Sequence, residues 1–441
     1  MINMKKHFSI KSRLSLNVWA SILLFVVAII AACVANSPMS PVYQDFLSQE
    51  LHLRIGGFNL FSHGGHPLTM LEFVNDCLMT IFFLSVGLEI KRELLVGELS
   101  SFRKAALPFI AACGGMILPV VFYSLLVVQG TPDARGMAIP MATDIAFSLG
   151  VLSLLGKRVP LSLKVFLTAF AVVDDIGGIL VIALFYSSNV AYGYLLIAAV
   201  LYAILYYLGK RGMTQKLFYL SGGIVIWYMF LQSGIHSTIS GVILAFVIPA
   251  RPRLDAGRYI KHIRAVINSF PVSHSDDIVL DNEQIAKLKR VERASDFVIS
   301  PLQSLEDNLH GVVNFVILPL FAFANAGVVL GGGGNVMGDV SIAVAVGLLF
   351  GKFIGIYLFT WMAIKSRLAP MPSGMNWKNI AGVSLLGGIG FTVSLFVANL
   401  SFAGAHPELL NQAKFGVLSG TIVAGLLGYI VLNSVLPKKE A

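Results

Sequence analysis

The chain has 441 residues, of which 56% are hydrophobic and only 12% charged, about half the charged share of a soluble domain. That balance excludes a soluble enzyme and describes an all-α, polytopic membrane protein with almost no room for a separate soluble domain. The net charge of +9 does not point to nucleic acid, because the basic residues sit in short loops between apolar runs, and Cys33, Cys77 and Cys113 lack metal or disulfide spacing.

Apolar runs cover approximately residues 17–36, 69–90, 105–128, 137–156, 160–186, 191–209, 215–232, 234–250, 301–327, 339–364, 376–400 and 412–436. Each is close to the length a transmembrane helix needs, which predicts about twelve spans. The first follows Lys5, Lys6, Lys11 and Arg13, but its apolar core is longer than that of a signal peptide, so a retained span is expected. After it, LHLRIGGFNLF within residues 37–68 alternates enough to predict a small extracellular β-hairpin. The seventh and eighth spans are separated only by the turn QSGIH. Residues 251–300 form a long polar connection in which EQIAKLKRVERA reads either as an amphipathic helix near the anionic leaflet or as a solvated loop.

Lys and Arg alternate sharply between the two sets of loops. One set carries nearly all of them, including Lys91, Arg92, Arg103 and Lys104, then Lys157, Arg158 and Lys164, and later Lys365, Arg367 and Lys378. The other set holds Arg54, Arg135 and Lys414. This bias predicts that both termini are cytoplasmic.

Asp144, Asp174, Asp175 and Lys352 fall deep inside apolar runs, in IPMATDIAFSLG, AFAVVDDIGGILVIALFY and LLFGKFIGI. Ionisable groups at that depth cost a few kcal/mol and by default mark a substrate path or proton relay. Salt bridging cannot absorb all four, since three acids face one lysine. The fourth span is interrupted by Pro140 and Thr143-Asp144, and the eleventh by LLGGIGFTVS with Gly387, Gly388, Gly390 and Thr392. Spans three to five and ten to twelve start on opposite sides, and each triplet has its interruption in the middle member. This is the pattern of an inverted-topology repeat with a site at the midplane. Where like ends of broken helices meet they need countercharge: Asp144 suits the N-terminal ends and Lys352 the C-terminal ends, leaving the aspartate pair for chemistry.

Carboxylate oxygens bind hard cations such as sodium or lithium, by the logic that governs calcium and magnesium, and they also bind protons. If the empty site is costly in the membrane, the carrier changes conformation readily only when a cation or a proton fills it, which enforces exchange and gives pH control. The alternatives are an antiporter or sodium-coupled symporter for another cation or solute, an intramembrane aspartyl protease and a passive channel. No pocket for an organic solute is legible. VVDDIGG puts both acids on one helix without a GxGD-like setting, and a midplane lysine would repel a permeating cation.

The segments NDCLMTIFFLSVGLEIKREL, AIPMATDIAFSLGVLSLLGKRVP, AVVDDIGGILVIALFY, SGIHSTISGV, LPLFAFANAGV, GKFIGI and GGIGFTVSLF together resemble the NhaA-type bacterial sodium/proton antiporter family. The resemblance runs from about Asn17 to the last span. It implies a multi-pass transporter of the bacterial inner membrane that exports Na+ or Li+ against a larger number of entering H+, electrogenically and under pH control, serving pH homeostasis and salt tolerance. It implies no enzyme activity and no cofactor beyond the transported ions. Asp174 and Asp175 are implied to bind the cation and the proton, Thr143, Asp144, Gly388 and Gly390 to support the crossing, and Lys352 to pair with Asp174. A pH-sensing cluster is implied at Glu89, Arg92, Glu93, Glu306 and His310, with His236 a further pH-responsive residue; Asp307 stands where the family often has a second histidine. The single unit 1–441 would divide into a transporting core, 105–186 and 339–436, and a dimer region, 17–95 and 191–327, which includes the loop 251–300. The hairpin would support a homodimer in the lipid bilayer.

Overall fold

The structure, a computed structural model, describes residues 10–55, 58–63, 66–186, 190–252, 256–270, 281–330 and 336–437. Helix α1 (Ile10–Ala35) leads through the short α2 (Ser40–Ser48) to two antiparallel strand pairs, β1 (Arg54–Ile55) with β2 (Phe58–Asn59) and β3 (Ser62–His63) with β4 (His66–Pro67). A capping box opens α3 (Met70–Val96): Glu72 N donates to Thr69 Oγ1 at 3.2 Å while Thr69 N donates back to Glu72 Oε2 at 2.8 Å. Then come α4 (Phe102–Leu126), a 3-10 helix (Pro132–Met141), α5 (Ile145–Leu154) and α6 (Leu161–Phe185).

After these, α7 (Tyr192–Lys210), α8 (Lys216–Ser233) and α9 (Thr238–Val247) precede two polar helices, α10 (Ala256–Asn268) and α11 (Asn282–Val298). The ambiguous stretch EQIAKLKRVERA is therefore helical and lies in α11. Ser300, whose hydroxyl accepts from Gln303 N, and Pro301 at the first helical position start α12 (Pro301–Asn325). The last elements are α13 (Asp339–Lys365), α14 (Trp377–Leu386), α15 (Phe391–Phe402) and α16 (Pro407–Val435).

Among the described residues, eight helices are long and apolar enough to cross a membrane, and two bent pairs bring the number to ten. The expected count of twelve also included residues 215–232 and 234–250. The first of these is α8, long enough but not apolar enough to be counted, and the turn from Gly234, at φ 79°, through His236 consumes the start of the second. What remains, α9, has 10 residues and rises only about 15 Å. Lys414, expected in a loop, lies inside α16 and is buried.

The two breaks are where the sequence places them. The 3-10 helix and α5 meet at 45°, α14 and α15 at 44°. Pro140 has no N–H for the helix ladder and sits in the segment before the first break. Flanking both breaks, α4 and α13 cross backbone to backbone: a methyl on Gly114 would lie 2.2 Å from Gly355 O, and one on Gly355 would lie 2.1 Å from Gly114 O. Only glycine admits so close an approach. Among the described residues, three spans contain π-type turns, at Phe73–Leu78, Val313–Ile317 and Gly347–Gly351. Such turns concentrate at functional sites.

Candidate functional site

The broken helices cross with their cut ends tied to each other. Asp144, in extended conformation at the first break, caps α5 by accepting from Phe147 N at 3.0 Å through Oδ1. Its Oδ2 accepts from Thr392 N at 3.2 Å and Thr392 Oγ1 at 2.7 Å, at the first turn of α15. One carboxylate thus meets the positive ends of two half-helices, where an anion is favoured. Asp144 N donates to Ile389 O at 2.6 Å.

The opposite, carbonyl ends are satisfied by hydroxyls. Ser148 Oγ donates to Leu386 O at 3.0 Å, Ser394 Oγ to Ile139 O at 2.7 Å, and Thr143 Oγ1 to Gly387 O at 2.9 Å. Gly388 and Gly390 leave room around the crossing: a methyl on Gly388 would lie 2.4 Å from Leu348 O of α13, and one on Gly390 would lie 2.3 Å from Ser394 Oγ and 3.1 Å from Ala142 O at the other break.

Lys352 follows directly on the π turn Gly347–Gly351 and is fully buried. Its Nζ lies 2.5 Å from Asp174 Oδ2 and donates to Thr143 Oγ1 at 3.0 Å. The lysine therefore reaches the carbonyl ends through Thr143 while its charge is matched by Asp174. Asp174 and Asp175, adjacent on α6, point differently. Asp174 is held by the lysine, whereas Asp175 lines a cavity of ≈ 240 Å³ together with Asp144, Glu89, Arg92, Glu306 and His310. Asp175 Oδ1 is buried and has no hydrogen-bond partner, and Asp174 Oδ1 shares that condition. A buried polar atom left unpaired costs about 1–3 kcal/mol, so these oxygens are ready acceptors for a ligand.

The same cavity gathers most of the charged residues expected at its mouth. Arg92 bridges Glu306 at 2.9 Å and Glu93 at 3.1 Å, and Asn314 Nδ2 lies 3.2 Å from His310 Nε2. Asp307 is also on the wall. His236 is not part of it: its Nδ1 lies 3.8 Å from Asp76 Oδ1, in the π turn of α3, and its ring meets Phe396 edge-on. Sequence reasoning passed over Asp76, whose backbone carbonyl accepts from Trp227 and Ser237. It also passed over a buried chain of amides in which Asn399 donates to Asn325 at 2.7 Å and Asn325 to Asn75 at 2.9 Å. An asparagine deep in each of three apolar runs, Asn75, Asn325 and Asn399, was the available signal.

A helical membrane protein with two broken helices crossing at a buried carboxylate, and a buried lysine–aspartate pair beside them, has the build of a secondary transporter made from inverted repeats. The chain belongs to the Na+/H+ antiporter 1 family, whose profile matches residues 11–432. It is 73% identical to a Na+/H+ antiporter NhaA of Bacteroides fragilis, over 98% of this chain and 99% of that one. It is 74% identical to one of Bacteroides thetaiotaomicron, over 97% of each. A Na+/H+ antiporter NhaA 1 of Saccharophagus degradans is 41% identical over 95% of this chain and 90% of its own. Among solved structures, the sodium proton antiporter MjNhaP1 of Methanocaldococcus jannaschii aligns over 97% of this chain and 98% of its own, with 13% identity and a TM-score of 0.45.

Proposed function

We propose that the protein exchanges Na+, and Li+, for H+ across the bacterial inner membrane, with both termini cytoplasmic. The observation that carries this reading is the split environment of the aspartate pair: Asp174 is bound to Lys352 at 2.5 Å, while Asp175 faces the cavity with an unpaired oxygen. Asp175 takes the cation, with Asp174 as its neighbour. When the cation enters, the two carboxylates draw toward it and the lysine is released. On release the lysine gives up its proton; when protons enter, one neutralises Asp175 and a second recharges Lys352, which pairs again with Asp174.

An empty pair of carboxylates at the midplane is costly. The broken-helix unit therefore turns over readily only when filled, and one Na+ leaves against two protons, one taken by Asp175 and one by Lys352, which makes the cycle electrogenic. The cluster Glu89, Arg92, Glu93, Glu306 and His310 at the cavity mouth sets the pH at which the cation gains access, with His236 and Asp76 as a second titratable pair. The protein works as a homodimer in the lipid bilayer, with no cofactor beyond the ions it carries.

The deciding measurement is collapse of an imposed proton gradient in inverted membrane vesicles, challenged with Na+, Li+ and K+ at several pH values. Dequenching by Na+ and Li+ but not K+, growing with pH, is the expected result. A response to an organic solute with Na+, or none to either small cation, would overturn it.

A further inference from the structure

The starts of α4 and α6, together with the linker after α13, enclose a second cavity of ≈ 660 Å³. It lies apart from the crossing, on the side that carries the Lys- and Arg-rich loops. Arg103 and Lys104 stand exposed on its wall, and neither side chain makes an ion pair or hydrogen bond among the described residues. Glu98 is the acid among the lining residues.

Three further features suit an anion. The residues preceding α4 and α6, Ser101 and Pro160, supply no side-chain cap, and neither helix has an acid in its first turn. Both helix starts thus present free N–H groups and the positive end of the peptide dipoles. Ser162 Oγ, also on the wall, is buried and has no hydrogen-bond partner. Apart from Ser373 the rest of the wall is apolar, through Leu107, Val165 and Phe166, and it runs out to Leu161, which is 76% exposed; Phe102, at the start of α4, is 90% exposed.

We propose that this cavity binds an anionic phospholipid. The phosphate sits between Arg103, Lys104 and the two helix starts, and the first methylenes of an acyl chain lie along Leu161, Val165 and Phe166. A free phosphate would leave the apolar wall uncovered, and a neutral lipid would leave Arg103 and Lys104 with Glu98 alone on the wall to offset two positive charges. The volume is within the range of sites that enclose a small organic ligand and accommodates a headgroup with the first part of a chain.

The test uses the full-length protein in neutral detergent, with thermal unfolding and native mass spectrometry read against added phosphatidylglycerol, phosphatidylcholine and inorganic phosphate at matched ionic strength. Phosphatidylglycerol is expected to raise the midpoint and remain bound, and the other two to do neither. In the variant Arg103→Gln/Lys104→Gln the apparent affinity falls by about thirtyfold, each basic side chain near an anionic headgroup contributing roughly fivefold. Leu161→Glu, an exposed change, also weakens binding, whereas Lys210→Gln/Arg211→Gln at the end of α7 leaves it unchanged. An equal shift with phosphatidylcholine, the same shift with inorganic phosphate alone, an unchanged response in the Arg103/Lys104 variant, or equal loss in the Lys210/Arg211 variant would each overturn the assignment.

Discussion

Ser148 and Ser394 are each the fourth residue of a half-helix, and each donates its hydroxyl to a carbonyl of the other broken helix, at 3.0 Å to Leu386 O and 2.7 Å to Ile139 O. Two segments separated by more than two hundred residues thus solve the same problem, an orphaned helix C-terminus in a dry interior, with the same atom at the same offset. Ser148→Ala and Ser394→Ala are each expected to lower unfolding stability by roughly 1 kcal/mol, and by similar amounts. Denaturant titration in detergent checks this; one neutral and one severe variant would break the equivalence.

Asp175→Asn keeps shape and volume and removes only the charge. The protein is expected to insert and unfold as wild type while Na+-driven proton movement in vesicles is lost. Robust exchange by this variant would remove Asp175 from the cation site.

Lys352 and Asp174 are both fully enclosed, so removing one leaves a buried charge without its partner. Lys352→Ala is expected to cost about 3–5 kcal/mol of stability. The double variant Lys352→Ala/Asp174→Ala should recover a large part of that loss. If the single and double variants have equal thermal midpoints, the pair is not the coupled unit described above.

A methyl at Gly388 meets a backbone carbonyl at 2.4 Å, and one at Gly178 meets nothing within 4 Å. Gly388→Ala is expected to destabilise by about 1–3 kcal/mol through overpacking and to slow exchange. Gly178→Ala on α6 should stay within about 1 kcal/mol of wild type. Parallel unfolding and transport measurements on the two variants make the comparison.

Arg92 is the counter-charge shared by Glu93 and Glu306. Arg92→Gln leaves the cavity mouth more negative and more attractive to protons, so the pH at which exchange switches on is expected to rise. Transport against pH at saturating Na+ reads this directly, and a profile that moves to acid would reverse the sign of the argument.

The sequence announced the crossing more clearly than its surroundings. Asp144, Asp174, Asp175 and Lys352 stand out because a charge in an apolar run has no bland explanation, and Pro140 and the 387–390 glycines break a helical pattern visibly. Ser148 and Ser394 carry no such signal, since a serine in a membrane helix is ordinary until its partner carbonyl is known. Lys414 was counted with the loop charges although it falls within the apolar run 412–436, because it lies close to that run's start; α16 begins at Pro407, well before it. Helix α9 was counted as a full span because the apolar pattern runs through the turn that shortens it. The π turns were invisible, because one extra residue in a turn changes neither composition nor apolar length.

That extra residue has a geometric consequence for Lys352. Each residue advances an α-helix by about 100°, so the wide turn Gly347–Gly351 resets the phase between the two halves of α13. The segment Asp339–Val346 packs on one azimuth and Lys352 emerges on another, aimed at Asp174. Deleting a single residue there would restore a uniform winding, and one half would keep its neighbours only by rotating the ammonium group away from the carboxylate. The salt bridge at the centre of the molecule is thus held in place by a miscount in the helix that carries it.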